Sequence, residues 1–230
     1  MGTSGWNYPE WRGTFYPAGL AAGKMLPFYA ERFSTVEVNA TFYRMPTPKT
    51  VAGWAAAVPD GFAFVLKAPQ RITHFARLRD VADPVRFFCE TALTLGRRLG
   101  PLLFQLPPNF KADLDRLEGT LALLPPGARA AFEFRHASWF TDETYARLRA
   151  ANAALAVVDT EDGATPAVAT ADWGYARLRA VEYTDDALAR WVATLRTTGA
   201  GWRDAFVFFK HEDAGTGPAL AKRFEALLSP

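Results

Sequence analysis

The sequence predicts a compact (β/α)8 barrel of the TIM type, and three observations carry that expectation. Eight short runs rich in β-branched and aromatic residues alternate with longer segments of helical period, the mark of parallel βαβ units. Polar side chains gather toward the C-terminal ends of most of those runs, the end at which such barrels carry their sites. The 230 residues contain no Pro/Gly/Ser-rich linker and no abrupt change of composition, so residues 1–230 read as one domain, near the lower end of the roughly 200–250 residues such a barrel takes. An open, doubly wound sheet satisfies the same alternation, because periodicity does not show closure.

In chain order the strand candidates are "GTSGW" (2–6), "TVEVNAT" (35–41), "FAFVLKAP" (62–69), "PLLFQLP" (101–107), "AAFEFRH" (130–136), "LAVVDT" (155–160), "GYARLR" (174–179) and "AFVFFKH" (205–211). Helical-period segments lie at 83–99, 113–124, 141–152, 184–196 and 217–228. Several of these open on Thr or Asp, whose side-chain oxygen accepts from a free N–H of the first turn. Residues 161–171, "EDGATPAVATA", contain Gly and Pro and no helical period, so the crossover between the sixth and seventh strands is expected to be irregular.

Composition narrows the function classes. Lys plus Arg total 26 against 24 acids, and a net charge of +2 is too small to mark a nucleic-acid or anionic-membrane partner. No run of about 18 apolar residues is present to span a membrane, and residues 1–20 lack the basic and apolar regions of a signal peptide, so a cytoplasmic location is expected. The single cysteine, Cys89, rules out an internal disulfide and sits in an apolar helical pattern as a small core residue.

Strand alternation locates a site. Glu37, Asn39 and Thr41 share one face of their run while Val36, Val38 and Ala40 share the other, and Glu133 and Arg135 oppose Phe132 and Phe134 in the same way. The apolar sets suit packing on helices, which turns the polar sets into the barrel. Lys67, Gln105, His136, Asp159, Arg177, Arg179, Lys210 and His211 continue the series at other strand ends, and all three histidines (His74, His136, His211) fall at or just after such ends.

The blocks "GTSGWNYPEWRGTFYP", "FSTVEVNATFYRMP", "VLKAPQRITH", "LGPLLFQLPPNF", "AFEFRHASWF" and "FVFFKHEDAGTGPALA", in this order, resemble the YecE-like family, catalogued as domain of unknown function 72. The resemblance runs from residue 2 to about 225 and implies a TIM-type barrel, but no established reaction. Two stretches depart from the commoner pattern of that family. "YARLRAVEYTDD" lacks the His-Gly and longer Tyr-containing loop often seen after the seventh strand, and "FFKHED" stands where many members carry Asn-Asn-Asp.

The residue types point first to an enzyme for a small polar substrate, anionic or sugar-like. Glu37 and Glu133 would serve as general acid and base with His136 or His74 assisting; the competing explanation is an ion-pair network with Arg135 and Arg177 that fills the barrel. Lys67, Arg135 and Arg177 would orient an anionic group, with Asn39, Gln105, Asp159, Lys210 and His211 completing the polar lining. Trp6, Tyr8, Tyr43 and Trp139 offer stacking surfaces, or else cover one end of the barrel. Lys67 also has the chemistry for a Schiff base. A second reading is a divalent-metal phosphoesterase or nuclease using Glu37, Glu133, Asp159 and His211; the nearby cations oppose it and no metal-binding spacing occurs, so no metal ligand and no cofactor are assigned. A third is a non-catalytic barrel that holds a ligand or partner at its aromatic mouth.

Overall fold

The alternating segments form eight parallel strands in the computed structural model, which describes residues 1–228. These are β1 (Gly2–Thr3), β2 (Thr35–Val38), β3 (Ala63–Lys67), β4 (Leu99–Gln105), β5 (Ala130–Glu133), β6 (Ala154–Thr160), β8 (Gly174–Leu178) and β9 (Ala205–Phe209). A two-residue strand, β7 (Gly163–Ala164), folds back antiparallel on β6. The pairing order is β1-β9-β8-β6-β5-β4-β3-β2, and a parallel bridge between Ser4 and Glu37 joins the two ends, so the sheet closes almost completely into a barrel. Closure brings β1 tight against β2: a Cβ on Gly2 would stand 2.0 Å from the Thr35 carbonyl oxygen, a distance only glycine permits.

Helices α1 (Met25–Ala30), α2 (Ala40–Tyr43), α3 (Pro48–Ala56), α4 (Ala82–Leu93), α5 (Leu114–Ala122), α6 (Asp142–Ala150), α7 (Asp185–Thr198) and α8 (Thr216–Leu228) occupy the connections. The starts of α5, α6 and α7 follow the sequence signals, the Asp113, Thr141 and Thr184 side chains accepting from Arg116, Thr144 and Ala187 N–H, and Thr47 caps α3, which the pattern did not mark, in the same way through Thr50 N–H. Between β6 and β8 there is no helix, as the Gly and Pro of that stretch predict. The strap is tied to β6 instead by Thr165 and Thr170, whose hydroxyls accept from Val158 and Leu155 N–H at 2.8 and 2.7 Å. Strand ends are shorter than the sequence pattern suggests. The second strand stops at Val38 because Asn39 takes helical φ and ψ (−77°, −22°) and opens α2.

Alternation divides the core in two. Val36, Val38, Phe104 and Phe132 face outward into the cluster packed under the helices. Val65, Leu103, Ala131, Ala156, Tyr175 and Phe208 face inward and fill the barrel, with Trp173 and Phe206 edge to face among them (ring centroids 6.3 Å apart). Above this apolar plug, toward the strand C-termini, the inward positions turn polar.

Candidate functional site

Five of those inward positions, Glu37 on β2, Lys67 on β3, Gln105 on β4, Glu133 on β5 and Arg177 on β8, form one hydrogen-bonded layer. Arg177 is its hub. Its Nε and Nη2 donate to Glu37 Oε2 and Oε1 at 2.9 and 2.7 Å, and its Nη1 donates to Glu133 Oε2 at 2.5 Å. Glu37 also accepts from the Tyr175 hydroxyl (2.6 Å) and the Ser4 hydroxyl (2.7 Å), which fills its acceptor capacity. Gln105 links the other side, donating Nε2 to Glu133 Oε1 while its Oε1 accepts from Lys67 Nζ, each at 2.7 Å. Glu37, Glu133 and Arg177 are all essentially inaccessible to water, and buried charges persist only when paired and hydrogen-bonded in this way.

The electrostatics follow from this geometry. Burial alone would push the Glu133 carboxyl up, but the charges of Arg177, Arg179 and Arg135 outweigh it and hold the pKa down at about 2. Glu37 is likewise held below the usual carboxylate range: burial opposes ionisation, and the Arg177 charge with three side-chain hydrogen bonds overcomes it. Lys67 moves the other way for a lysine; burial, then the neighbouring Arg177 charge, lowers it to about 8. His74 is lowered to about 4 by burial and by the Lys67 and Arg135 charges, which leaves its ring neutral at pH 7.

A cavity of ≈ 590 Å³ opens above the layer and is lined by Lys67, Gln105, Arg135, Arg177, Arg179 and Lys210 with Asn39, Gln70, His74 and Glu212. Among the described residues, Glu133 is the one carboxylate shared by three guanidinium groups, at 2.5 Å from Arg177, 3.5 Å from Arg135 and 3.8 Å from Arg179. Lys210 pairs with Glu212 at 3.7 Å, and Lys67 contacts no carboxylate among the described residues. The mouth therefore carries an excess of positive charge. Buried Nε and Nη1 of Arg179 and Oδ1 of Asn39 have no hydrogen-bond partner among the described residues. Aromatic residues frame the opening: Phe42 lies 4.0 Å under Lys67 Nζ, Tyr43 and Phe75 stand largely exposed on the rim, and Tyr8 comes from the loop after β1. That loop turns at Gly5 (φ +102°), and the Tyr8 hydroxyl donates back to Ser4 O at 2.7 Å.

Of the residues singled out in the sequence, Tyr8, Asn39, Tyr43, Lys67, His74, Gln105, Arg135, Arg177 and Lys210 border this cavity. Glu37 lies beneath it, and Glu133 borders an adjoining cavity of ≈ 510 Å³ that shares Arg135. Five expected members point elsewhere. Trp6 packs edge-on against Trp54 and borders a separate hollow. Trp139 is fully buried, stacked on Phe134 at 4.5 Å, with its Nε1 donating to Phe110 O. His136 caps its own turn, Nδ1 accepting from Ser138 N–H. Asp159 turns outward to accept from the Tyr183 hydroxyl and Trp191 Nε1. His211 Nε2 contacts Ala180 O at 2.6 Å. The four donors of the metal reading therefore do not converge, and among the described residues no group of three or more His, Cys, Asp or Glu side chains is placed to hold an ion. Arg179, named in the strand-end series but given no role there, also borders the cavity, and Gln70, Phe42, Phe75 and Glu212 join the lining without having been assigned to the site. Arg179 extends the Tyr175, Arg177 alternation by one step; Gln70 and Phe75 come from the short helical turn after β3 (Arg71–Phe75, opened by Gln70) and Glu212 from the loop after β9, where no strand alternation reaches. No helix among the described residues is long and apolar enough to cross a membrane.

The chain is similar to other proteins along its whole length. A model of the family described as "Protein of unknown function DUF72" matches residues 1–230. The UPF0759 protein YecE of Escherichia coli (strain K12) is 33% identical over 141 residues, 61% of this chain and 49% of that protein. The UPF0759 protein YunF of Bacillus subtilis (strain 168) is 27% identical over 157 residues, 63% of this chain and 53% of that protein, so the matches span about half the length of these two relatives. Among solved structures, a DUF72 family protein of Thermotoga maritima MSB8 superposes with a TM-score of 0.83 at 25% identity, covering 100% of both chains. One from Enterococcus faecalis V583 gives 0.78 at 18% identity over 90% of this chain and 94% of that one, a likeness of fold. With the family model matched from the first residue to the last and the barrel shared, the chain belongs to the DUF72 family.

Proposed function

We propose that the protein binds and acts on a small molecule carrying a phosphate or carboxylate group, held in the cationic mouth by Lys67, Arg135 and Arg179. The observation that carries this reading is the sharing of Glu133 by three guanidinium groups while Lys67 has no carboxylate partner among the described residues. An anion would supply the counter-charge that Lys67 and the Arg135–Arg179 pair lack, Arg offering planar paired donors for it. Glu37 and Glu133 then serve as the fixed counter-ions of Arg177 and not as an acid/base pair, because both are fully buried and held ionised by their partners. Proton transfer falls to Lys67, whose pKa is brought down to about 8, with the neutral ring of His74 bordering the same cavity.

The test is thermal unfolding against inorganic phosphate, sulfate and citrate at constant ionic strength. A ligand that binds only the native state raises Tm progressively with its concentration. The expected result is a rise with phosphate or citrate that disappears in Arg179→Met and Arg135→Met. A rise equal to that given by chloride at the same ionic strength, or one retained in both variants, would sink the proposal.

A further inference from the structure

Lys67 is set apart from every other lysine of the chain by its surroundings. Lys24, Lys49, Lys111 and Lys222 are exposed and Lys210 is half-exposed at the rim, whereas Lys67 is only 8% accessible and ends β3 at the floor of the mouth. Its ammonium sits between Gln105 Oε1 (2.7 Å) and the Phe42 ring (4.0 Å), and neither partner compensates a full charge as a carboxylate would. His74 packs edge-on against the same Phe42 ring (4.8 Å between centroids), engages Thr73 Oγ1 through Nδ1 at 2.9 Å, and borders the same cavity. A lysine whose charge is disfavoured by burial and by neighbouring cations is an activated amine nucleophile.

We propose that Lys67 is a nucleophile that forms an imine with the carbonyl carbon of an aldehyde or keto compound bearing a phosphate or carboxylate group. The assignment rests on the anion reading above, with Arg135 and Arg179 holding the charged group while the carbonyl reaches Nζ. The unprotonated amine adds its lone pair to the carbonyl carbon, and the former carbonyl oxygen takes up a proton to give a carbinolamine. Loss of that hydroxyl as water, with departure of the second amine proton, leaves a C=N bond. One water is released per imine and no oxidant or reductant is consumed. His74 borders the same cavity, where its ring can relay that proton to solvent. The lowered pKa of Lys67, about 8, supports the same assignment: about a tenth of the amine is unprotonated at pH 7, against well under a thousandth for an ordinary lysine.

Reductive trapping tests this on the intact protein. The native chain is incubated at pH 7 with cyanoborohydride and, separately, glyoxylate, pyruvate, glycolaldehyde phosphate and uncharged glycolaldehyde, then digested and mapped by mass. Trapping reduces the iminium to a secondary amine, so each adduct marks its lysine permanently. The α-amine of Met1 is expected to label as well and is counted apart; among the lysines the expected result is one adduct, on the peptide carrying Lys67, formed at least about tenfold faster than on any exposed lysine. It should be suppressed by inorganic phosphate and absent from Lys67→Arg. Lys67→Arg keeps the charge, and the four exposed lysines serve as internal controls whether or not that variant folds. Adducts that spread evenly over the exposed lysines, or never reach Lys67, overturn the proposal. If that happens while phosphate still raises Tm through Arg179, the imine is wrong and the anion site stands. Equal trapping at Lys67 by charged and uncharged carbonyls keeps the nucleophile and removes the anion site.

Discussion

Arg177 on β8 and Glu37 on β2 meet inside the barrel through two parallel hydrogen bonds of 2.9 and 2.7 Å, and both side chains are shut off from water. Three strand steps separate them around the sheet, so the pair staples two walls of the barrel near the Ser4–Glu37 bridge where the sheet closes. Removing one partner of a buried pair leaves an uncompensated charge, which costs about 3–5 kcal/mol. Here the cost is compounded, because Arg177 also holds Glu133. Arg177→Met is accordingly expected to lose at least that much stability in urea unfolding, whereas Glu37→Gln, which keeps the shape and several hydrogen bonds, loses less. Equal stability of Arg177→Met and the native chain would show that the pair is not a structural staple.

The same layer sets an acid limit. Glu133 titrates near 2 in the folded chain against 4.5 for its unperturbed value, and Glu37 is also lowered. A carboxylate with a depressed folded pKa adds stability that is fully present above the unfolded value and lost as pH falls toward the folded one. Tm should therefore be flat in this contribution above about pH 5 and fall between about pH 4.5 and 2. Lys67 contributes a slope at the other end. Its folded pKa of about 8 lies below 10.5, so the unfolded chain binds more protons between these values and the contribution rises with pH across that window. Glu133→Gln should flatten the acid slope and Lys67→Met the alkaline one, both read as differences from the native Tm profile.

How much of this could be seen in the sequence depends on the range of the physics involved. A period of two is local, so the inward placement of Glu37, Glu133 and Arg177 was legible, as was the helix-free strap after β6, whose Gly and Pro are local breakers. The grip of Arg177 on two glutamates 140 and 44 residues away was not, because it depends on which strands become neighbours in the closed sheet. Side chains at strand ends were the least legible. Asp159 stands beside the mouth in sequence pattern, but Tyr183 and Trp191, the latter on α7, offer it two donors on the outer side. His211 finds the Ala180 carbonyl in the same way.

Arg179 is expected to trade stability for binding. It lies beside Arg177 and Arg135, burial and the Arg177 charge lower its pKa, and two of its buried donors have no hydrogen-bond partner among the described residues. Replacing it by Met removes a like charge and two unsatisfied groups. The ligand-free Tm should rise, by about 2–4 °C for each kcal/mol gained in a chain of this size, while the response to phosphate is lost. A lower Tm in Arg179→Met would mean that Arg179 is a structural partner of Glu133 and not a ligand-binding group.

Tyr43 and Phe75 are the most exposed large apolar side chains among the described residues, at 73% and 74%, and both border the cationic cavity. Substituting an exposed side chain changes stability by about 0.5 kcal/mol or less, so neither Tyr43→Ala nor Phe75→Ala should move Tm by more than about 2 °C. Contact with a ligand ring is worth about 0.5–1.5 kcal/mol, so the double variant should bind phenyl phosphate about 2–12-fold more weakly while binding inorganic phosphate unchanged. Calorimetric titration of both ligands separates the cases, and equal losses for the two would assign the rim residues to shaping the cation cluster instead of stacking.

Trp139 supplies the complementary case, a residue near the site in sequence that works only in packing. Its ring lies parallel to Phe134 with 4.5 Å between centroids, its Nε1 donates to the Phe110 carbonyl at 2.8 Å, and no part of it is accessible. Truncating a fully buried Trp costs about 3–5 kcal/mol, from lost burial and the cavity that remains. The freed Phe110 carbonyl adds an unsatisfied acceptor. Trp139→Phe should recover much of the packing but not the hydrogen bond, placing its stability between the native chain and Trp139→Ala. Because the ring faces the helices and not the mouth, the Tm increment given by phosphate should be the same in Trp139→Phe as in the native chain. A reduced increment at unchanged fold would place Trp139 in the ligand-binding machinery after all.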